Sequence, residues 1–236
     1  FVGGDRVMDS NQFTIAATTR FIDDTGYERL NATLAQRFYM SDRKVLKEAQ
    51  FLNSVAQSDS SDLFLTATAY INKVLKVSSA VQYNPDESTT NRATLRTRYS
   101  PRPGKLIDVG YRLIRNLTNS DDDIKQINLA GQWPLGGGWS SIGRYNYDIK
   151  KSGAVEALGG FEYDGGCWTS RIVVNRLSLA TTEKPNYTLF MQIELGGLGS
   201  LGSSNDANLF DVLDRNVPGA SFSSKIPDQY RKENLN

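Results

Sequence analysis

Histidine is absent from this chain of 236 residues, and cysteine occurs once, at Cys167. The first absence removes the commonest general base and the commonest metal ligand, and the second leaves neither an internal disulfide nor a thiolate cluster. We therefore expect no catalytic residue of the Ser–His kind, no metal site and no cofactor. Charge bias is lacking too. Lys and Arg number 27 against 26 Asp and Glu, so the broad basic character of a dedicated nucleic-acid binder is missing and no nucleic-acid partner is expected. Long apolar runs are also absent: no stretch approaches the roughly 18 uncharged residues that a membrane helix needs, and mean hydropathy is -0.43. That average says nothing against a membrane β-barrel, in which only alternate residues face lipid. The chain opens on Phe1 without the features of an export signal, so such a signal is expected upstream and the sequence reads as a fragment.

What the chain does have is alternation. From about residue 12 to 195 it repeats runs of roughly ten residues with a period of two, each closed by Gly, Asn, Asp, Ser or Pro. In 27–42, Leu30, Ala32, Leu34, Phe38 and Met40 fall on one face and Arg29, Asn31, Thr33 and Arg37 on the other. The split recurs in 90–100, where Ala93, Leu95 and Tyr99 oppose Arg92, Thr94, Arg96 and Arg98, and in 106–115, where Ile107, Val109, Tyr111 and Leu113 oppose Asp108 and Arg112. It recurs again in 124–133 and in 139–149, with Ile142 an exception on the polar side. Adding 12–22, 63–72, 75–83, 155–164, 167–178 and 187–195 predicts about eleven meandering strands, each of a length suited to a tilted crossing.

The spacing thus predicts an all-β fold, an antiparallel transmembrane β-barrel over 1–197, followed at 198–236 by a loop or short helix and a frayed polar tail. Short links such as 23–26 and 72–74 alternate with longer ones such as 43–61, as on the inner and outer rims of such a barrel, which makes 43–61 an exposed extracellular loop. Tyr39, Tyr83, Tyr99, Trp133, Trp139, Tyr147, Trp168 and Tyr187 stand near strand ends, as interfacial aromatics do. The alternative is a soluble sandwich in which they are ordinary strand formers. An odd strand count and an open edge require further strands upstream, or pairing with a separate piece, because an unpaired edge cannot sit in lipid.

Several motifs resemble the LptD family of lipopolysaccharide-assembly proteins. Gly4-Asp5-Arg6-Val7, Asp9-Ser10-Asn11-Gln12 and Thr18-Thr19-Arg20 resemble its opening block, continued by Glu28-Arg29 and Gln36-Arg37-Phe38-Tyr39. Trp133-Pro134, Trp139-Ser140 and Tyr145-Asn146-Tyr147-Asp148 are similar to one of its hairpins. Gly160-Phe161-Glu162-Tyr163-Asp164 with Cys167-Trp168, Arg171 and Arg176 is similar to its cysteine-bearing hairpin. Gln192-Ile193-Glu194-Leu195, Gly197-Leu198, Leu213 and Pro218-Gly219 resemble its last strand and tail. The likeness covers the C-terminal half of the family. Where many members carry adjacent cysteines, this chain has Gly166-Cys167.

The resemblance implies translocation of lipopolysaccharide through a barrel lumen and a lateral gate into the outer leaflet, without chemistry, after export through the periplasm. It implies an LptE-like lipoprotein plug, an LptA-like periplasmic bridge reached through an N-terminal domain outside this chain, and the outer-membrane bilayer as partners. It identifies the strand of Tyr187, Thr188, Leu189, Met191, Gln192, Ile193, Glu194 and Leu195 as the gate, with Tyr187, Leu189, Met191, Ile193 and Leu195 outward. It also implies a disulfide from Cys167 to an upstream segment, a free thiol being the alternative. Arg92, Arg96, Arg98, Arg112 and Arg144 are candidates for lipopolysaccharide or plug contact in the lumen through charge-assisted hydrogen bonds. Alternatively they pair with carboxylates such as Asp108, Asp148 and Glu162. An outer-membrane porin or solute channel is the alternative function that the strand pattern would also serve.

Overall fold

The computed structural model describes residues 11–40, 59–116, 120–178, 185–202, 213 and 216–222. The expected outside loop 43–61 lies outside them up to residue 58, as do the opening block up to Ser10 and most of 208–215. The strands are β1 (Gln12–Ile22), β2 (Glu28–Tyr39), β3 (Leu63–Asn72), β4 (Leu75–Asn84), β5 (Thr89–Arg102), β6 (Lys105–Ile114), β7 (Ile124–Gly136), β8 (Trp139–Asp148), β9 (Gly153–Asp164), β10 (Trp168–Leu177), β11 (Asn186–Leu195) and β12 (Gly199–Gly202). They form one antiparallel sheet in sequential order from β1 to β12, the meander expected from the alternation. Among the described residues no helix is long and apolar enough to cross a membrane.

The turns have local causes. Asn72 Oδ1 accepts hydrogen bonds from the Val74 and Leu75 amides at 3.0 and 2.8 Å, and Asn84 Oδ1 does the same for Asp86 and Glu87. These side chains mimic a backbone turn and tolerate its geometry. Gly104 takes φ 74° between β5 and β6, a conformation that favours glycine.

The chain divides into two compact units. The first, 1–71, 77–95 and 112–124, contains β1 and β2 whole and β3 as far as Ile71. In it Phe13 stacks on its register partner Phe38 at 5.2 Å between centroids. Asp62 accepts from Gln82 Nε2 at 2.6 Å and Asn91 Nδ2 at 2.9 Å.

The second unit, 72–76, 96–111 and 125–236, contains β7 from Lys125 on and β8 to β12 whole. Register sorts its side chains into two faces. One face is apolar and exposed: Ile127, Leu129, Tyr145, Phe161, Ile172, Leu189 and Met191 are each more than 40% accessible. The opposite face carries Asp108, Gln132, Asn146, Asp148, Glu162, Arg171 and Glu194, all buried. It also carries a buried apolar patch of Leu106, Ala130, Ile142, Leu158 and Val173. Leu213 and Val217, at 1% and 0% exposure, complete that patch, and Phe190, Ala220 and Phe222 pack against it.

Two expectations change here. A twelfth strand follows the eleventh: Gly199–Gly202 pairs with Gln192–Leu195, in a stretch read from its glycines as loop. Residues 216–222 are also not frayed. The centres of β7 to β10 are apolar on both faces, so the patch around Ile142 needs a cover, and burying Leu213 and Val217 stabilises by about 1.5 to 3 kcal/mol each. Paired hydrogen bonds hold the cover in register: Gln132 Nε2 donates to Ser221 O at 2.7 Å, and the Ser221 amide donates to Gln132 Oε1 at 2.8 Å. Ile142, the exception to alternation, is therefore a core residue.

Candidate functional site

Alternation aims the odd-numbered side chains of β10 and the even-numbered ones of β9 and β11 at the polar face, where Arg171 meets its partners. Its Nε donates to Glu162 Oε2 at 2.6 Å, and its Nη1 donates to Gln192 Oε1 at 3.2 Å and lies 3.3 Å from Glu194 Oε2. The Arg171 and Glu194 side chains are each 1% exposed. Charges so buried are costly unless paired and hydrogen-bonded, and here one guanidinium serves three consecutive strands. This cluster was not singled out from the sequence as a site. Glu162, Arg171 and Glu194 stand on three different strands, and spacing along the chain does not reveal that they meet.

Of the five candidate arginines, Arg96 and Arg98 come together. Arg96 Nε donates to Asp108 at 2.7 and 2.8 Å, and Arg98 Nε donates to the same carboxylate at 2.9 Å. Asp108 is buried, whereas the Arg96 side chain is 44% exposed. Arg98 also reaches the tail, where a Cβ at Gly219 would come within 3.0 Å of its Nη1. Arg144 stands apart from that pair. It lies 3.7 Å from Glu156, and its Nη1 donates to Asn216 Oδ1 at 3.0 Å and Asn216 O at 3.3 Å. Arg92 and Arg112 are exposed and belong to the first unit. Asp108, foreseen as a carboxylate partner, is one; Glu162 is one as well, but for Arg171.

On β11, Tyr187, Leu189, Met191, Ile193 and Leu195 are exposed on the apolar face. Thr188, Gln192 and Glu194 lie on the other face with Phe190, which the sequence reading left out and which packs on the buried patch. β12 covers the edge of β11 at Gln192–Leu195. Among the described residues no strand pairs with that edge at 186–191. One end of the strand is thus held on both sides and the other on one.

Cys167 is exposed and unbonded, in the turn just before β10. Its carbonyl accepts from the Gly196 amide at 2.8 Å, so the turn beside the end of β11 braces it. Among the described residues no group of three or more His, Cys, Asp and Glu is arranged to hold a metal ion.

An apolar exposed face and a charged buried face on one antiparallel meander sheet are features of a β-barrel wall. The family model described as LPS transport system D, LptD, matches residues 1–139. An LPS-assembly protein LptD of an Azoarcus species is 37% identical over 222 residues, which is 93% of this chain and 26% of that protein. The protein of the same name from Thiobacillus denitrificans is 38% identical over 227 residues, 96% of this chain and 29% of that protein. That of Chromobacterium violaceum is 37% identical over 224 residues, 93% of this chain and 27% of that protein. The chain spans about a quarter of the length of these curated relatives. Matched by the family model over more than half of its residues, the chain belongs to the LptD family.

Proposed function

We propose that residues 1–197, together with β12, form the C-terminal wall of an outer-membrane barrel that assembles lipopolysaccharide at the cell surface. The lipid passes through the lumen and leaves through a lateral gate at β11. Leu213 and residues 216–222 line the inside of that wall. One observation carries the reading: in a family whose matched relatives are named for LPS assembly, the sheet exposes apolar side chains on one face and buries charges on the other. The solute-channel alternative gains no support from those relatives. The apolar face then meets acyl chains, and the polar face meets the LptE-like plug or the head group in transit. An LptA-like bridge would act through the N-terminal domain that this chain does not include.

The half-covered edge gives the gate a direction. β12 lies at the end of β11 that carries the short link 196–198, and short links mark the periplasmic rim. The uncovered stretch 186–191 is then the outer-leaflet end, where opening breaks few interstrand bonds at a net cost of about 1 kcal/mol each. Arg96 and Arg98 share one carboxylate, so their cluster keeps an excess positive charge for phosphate groups or for acidic groups of the plug.

Cysteines at Thr188 and on the first strand of the full-length protein, oxidised in cells, test this reading. Delivery of lipopolysaccharide to the surface should stop on crosslinking and resume on reduction. Unimpaired delivery through a fully crosslinked seam overturns it.

A further inference from the structure

We propose that the apolar face of β7–β10 holds a docking groove for one acyl chain of a phosphate-bearing lipid, with Arg176 at its end as the phosphate partner. This rests on the reading of that face as lipid-facing, and concerns a place on the wall other than the seam.

Register sets Gly131 opposite Gly143, Gly143 opposite Gly159 and Gly159 opposite Val174. On the β6 side, Ile107 adjoins Gly131. The result is a cavity of about 690 Å³ walled by Ile107, Leu129, Tyr145, Ala157, Val174 and Arg176, within the size range of small-ligand pockets. Four interstrand spacings separate Ile107 from Val174, about 19 Å, the dimension of an extended chain rather than a compact solute.

The sheet does not itself demand this hollow. A Cβ at Gly159 would meet nothing within 4 Å, and one at Gly143 would meet only the Leu158 carbonyl at 3.6 Å. Gly131 differs, since a Cβ there would press on Leu106 O at 2.8 Å. Side chains that would fit at two of the three floor positions are missing, and the space is left open.

The cation selects the occupant. Arg176 is half-buried on the apolar face, in the row of Leu129, Tyr145, Ala157 and Tyr187. It makes no ion pair among the described residues, and its Nη1 donates only a long bond, 3.4 Å, to Ala154 O. That bond draws the guanidinium toward the end of β10, one residue before its last. A lipid-facing Arg costs about 2 to 4 kcal/mol at the bilayer midplane and close to nothing at the interface, so Arg176 belongs at head-group depth. There a guanidinium binds phosphate with two parallel hydrogen bonds. This strand end carries the longer links, so the lipid is one of the outer leaflet.

The test uses the full-length protein in phosphatidylcholine vesicles with a trace of chain-spin-labelled phosphatidic acid or, separately, spin-labelled diacylglycerol. The wild type should immobilise the phosphatidic acid about tenfold more strongly, the equivalent of one charge-assisted bond. Arg176→Gln should remove that preference, and Gly159→Leu should reduce immobilisation of both lipids. Equal immobilisation of the two by the wild type, or a preference that survives Arg176→Gln, overturns the groove. If Gly159→Leu does not fold, Arg176→Gln, which keeps the floor intact, decides. No immobilised component with either lipid, from protein shown to be folded, overturns the lipid-facing reading and the groove with it.

Discussion

Arg171 on β10 donates from Nε to Glu162 Oε2 on β9 at 2.6 Å, with only 1% of the Arg171 side chain exposed. The same guanidinium reaches Glu194 on β11, within the stretch that β12 also holds. Two carboxylates thus share this cation at the end of β11 that β12 also pairs with. Arg171→Met should lower the stability of the folded protein by about 3 to 5 kcal/mol, because it strands buried charges rather than removing a favourable pair. Urea unfolding of the full-length protein measures the loss, and adding Glu194→Gln should recover part of it. An unchanged midpoint in Arg171→Met would show that the cluster is not holding these strands.

The tail contributes its own core. Leu213→Ala should cost about 2 to 5 kcal/mol, as expected for a fully buried leucine whose site cannot collapse. Gln132→Ala should cost less, since it removes two hydrogen bonds to Ser221 at about 1 kcal/mol each. Limited proteolysis of both variants should cut within 213–222 sooner than in the wild type. Equal cleavage rates would mean that the tail is not bound in solution.

In the turn between β1 and β2, the Asp23 carboxyl is held at about 2, well below the usual carboxylate value. The largest cause is the hydrogen bond from the Thr25 hydroxyl, followed by that from the Tyr27 amide; burial opposes them, and Arg29 and the Thr25 amide add to the lowering. A depressed pKa stabilises the turn above the ordinary carboxylate range, and the stability is lost as pH falls through the folded value. Carboxyl titration by NMR or infrared should place its midpoint near 2. In Thr25→Ala the midpoint should rise, and no movement would refute the assignment of cause.

If, as proposed, the protein is exported to an oxidising compartment, Cys167 is expected to pair with a cysteine upstream of Phe1. Its exposure in a turn gives such a segment access. Full-length protein from oxidising cells should change gel mobility on reduction, and Cys167 should react with maleimide only afterwards. Identical migration with full prior labelling would show a free thiol.

The strands were legible because side-chain direction in a strand is a local property. Each residue points opposite to its neighbour, so Leu30, Ala32 and Leu34 declare their common face without reference to any other part of the chain. The turns were legible for the same reason, as Asn72 and Asp23 act on amides two to four residues away. Arg96 and Asp108 were placed on one face, and they meet across the short β5–β6 link. Phe190 was overlooked, being an apolar residue on a face read as polar.

By itself the sequence determined the β class, the alternation of faces, the order of the strands and the family resemblance, all of which follow from near-neighbour pattern. The tertiary structure alone decided that Ile142 is core, that Leu213 and Val217 cover it, that Arg171 joins Glu162 and Glu194, and that β12 closes one end of β11. Each of these depends on which residues from separate strands or from the tail come to lie side by side. Burial then changes what a residue does: the same isoleucine that would be an error of pattern in an isolated strand becomes, under a leucine 71 positions further on, part of what holds the wall together.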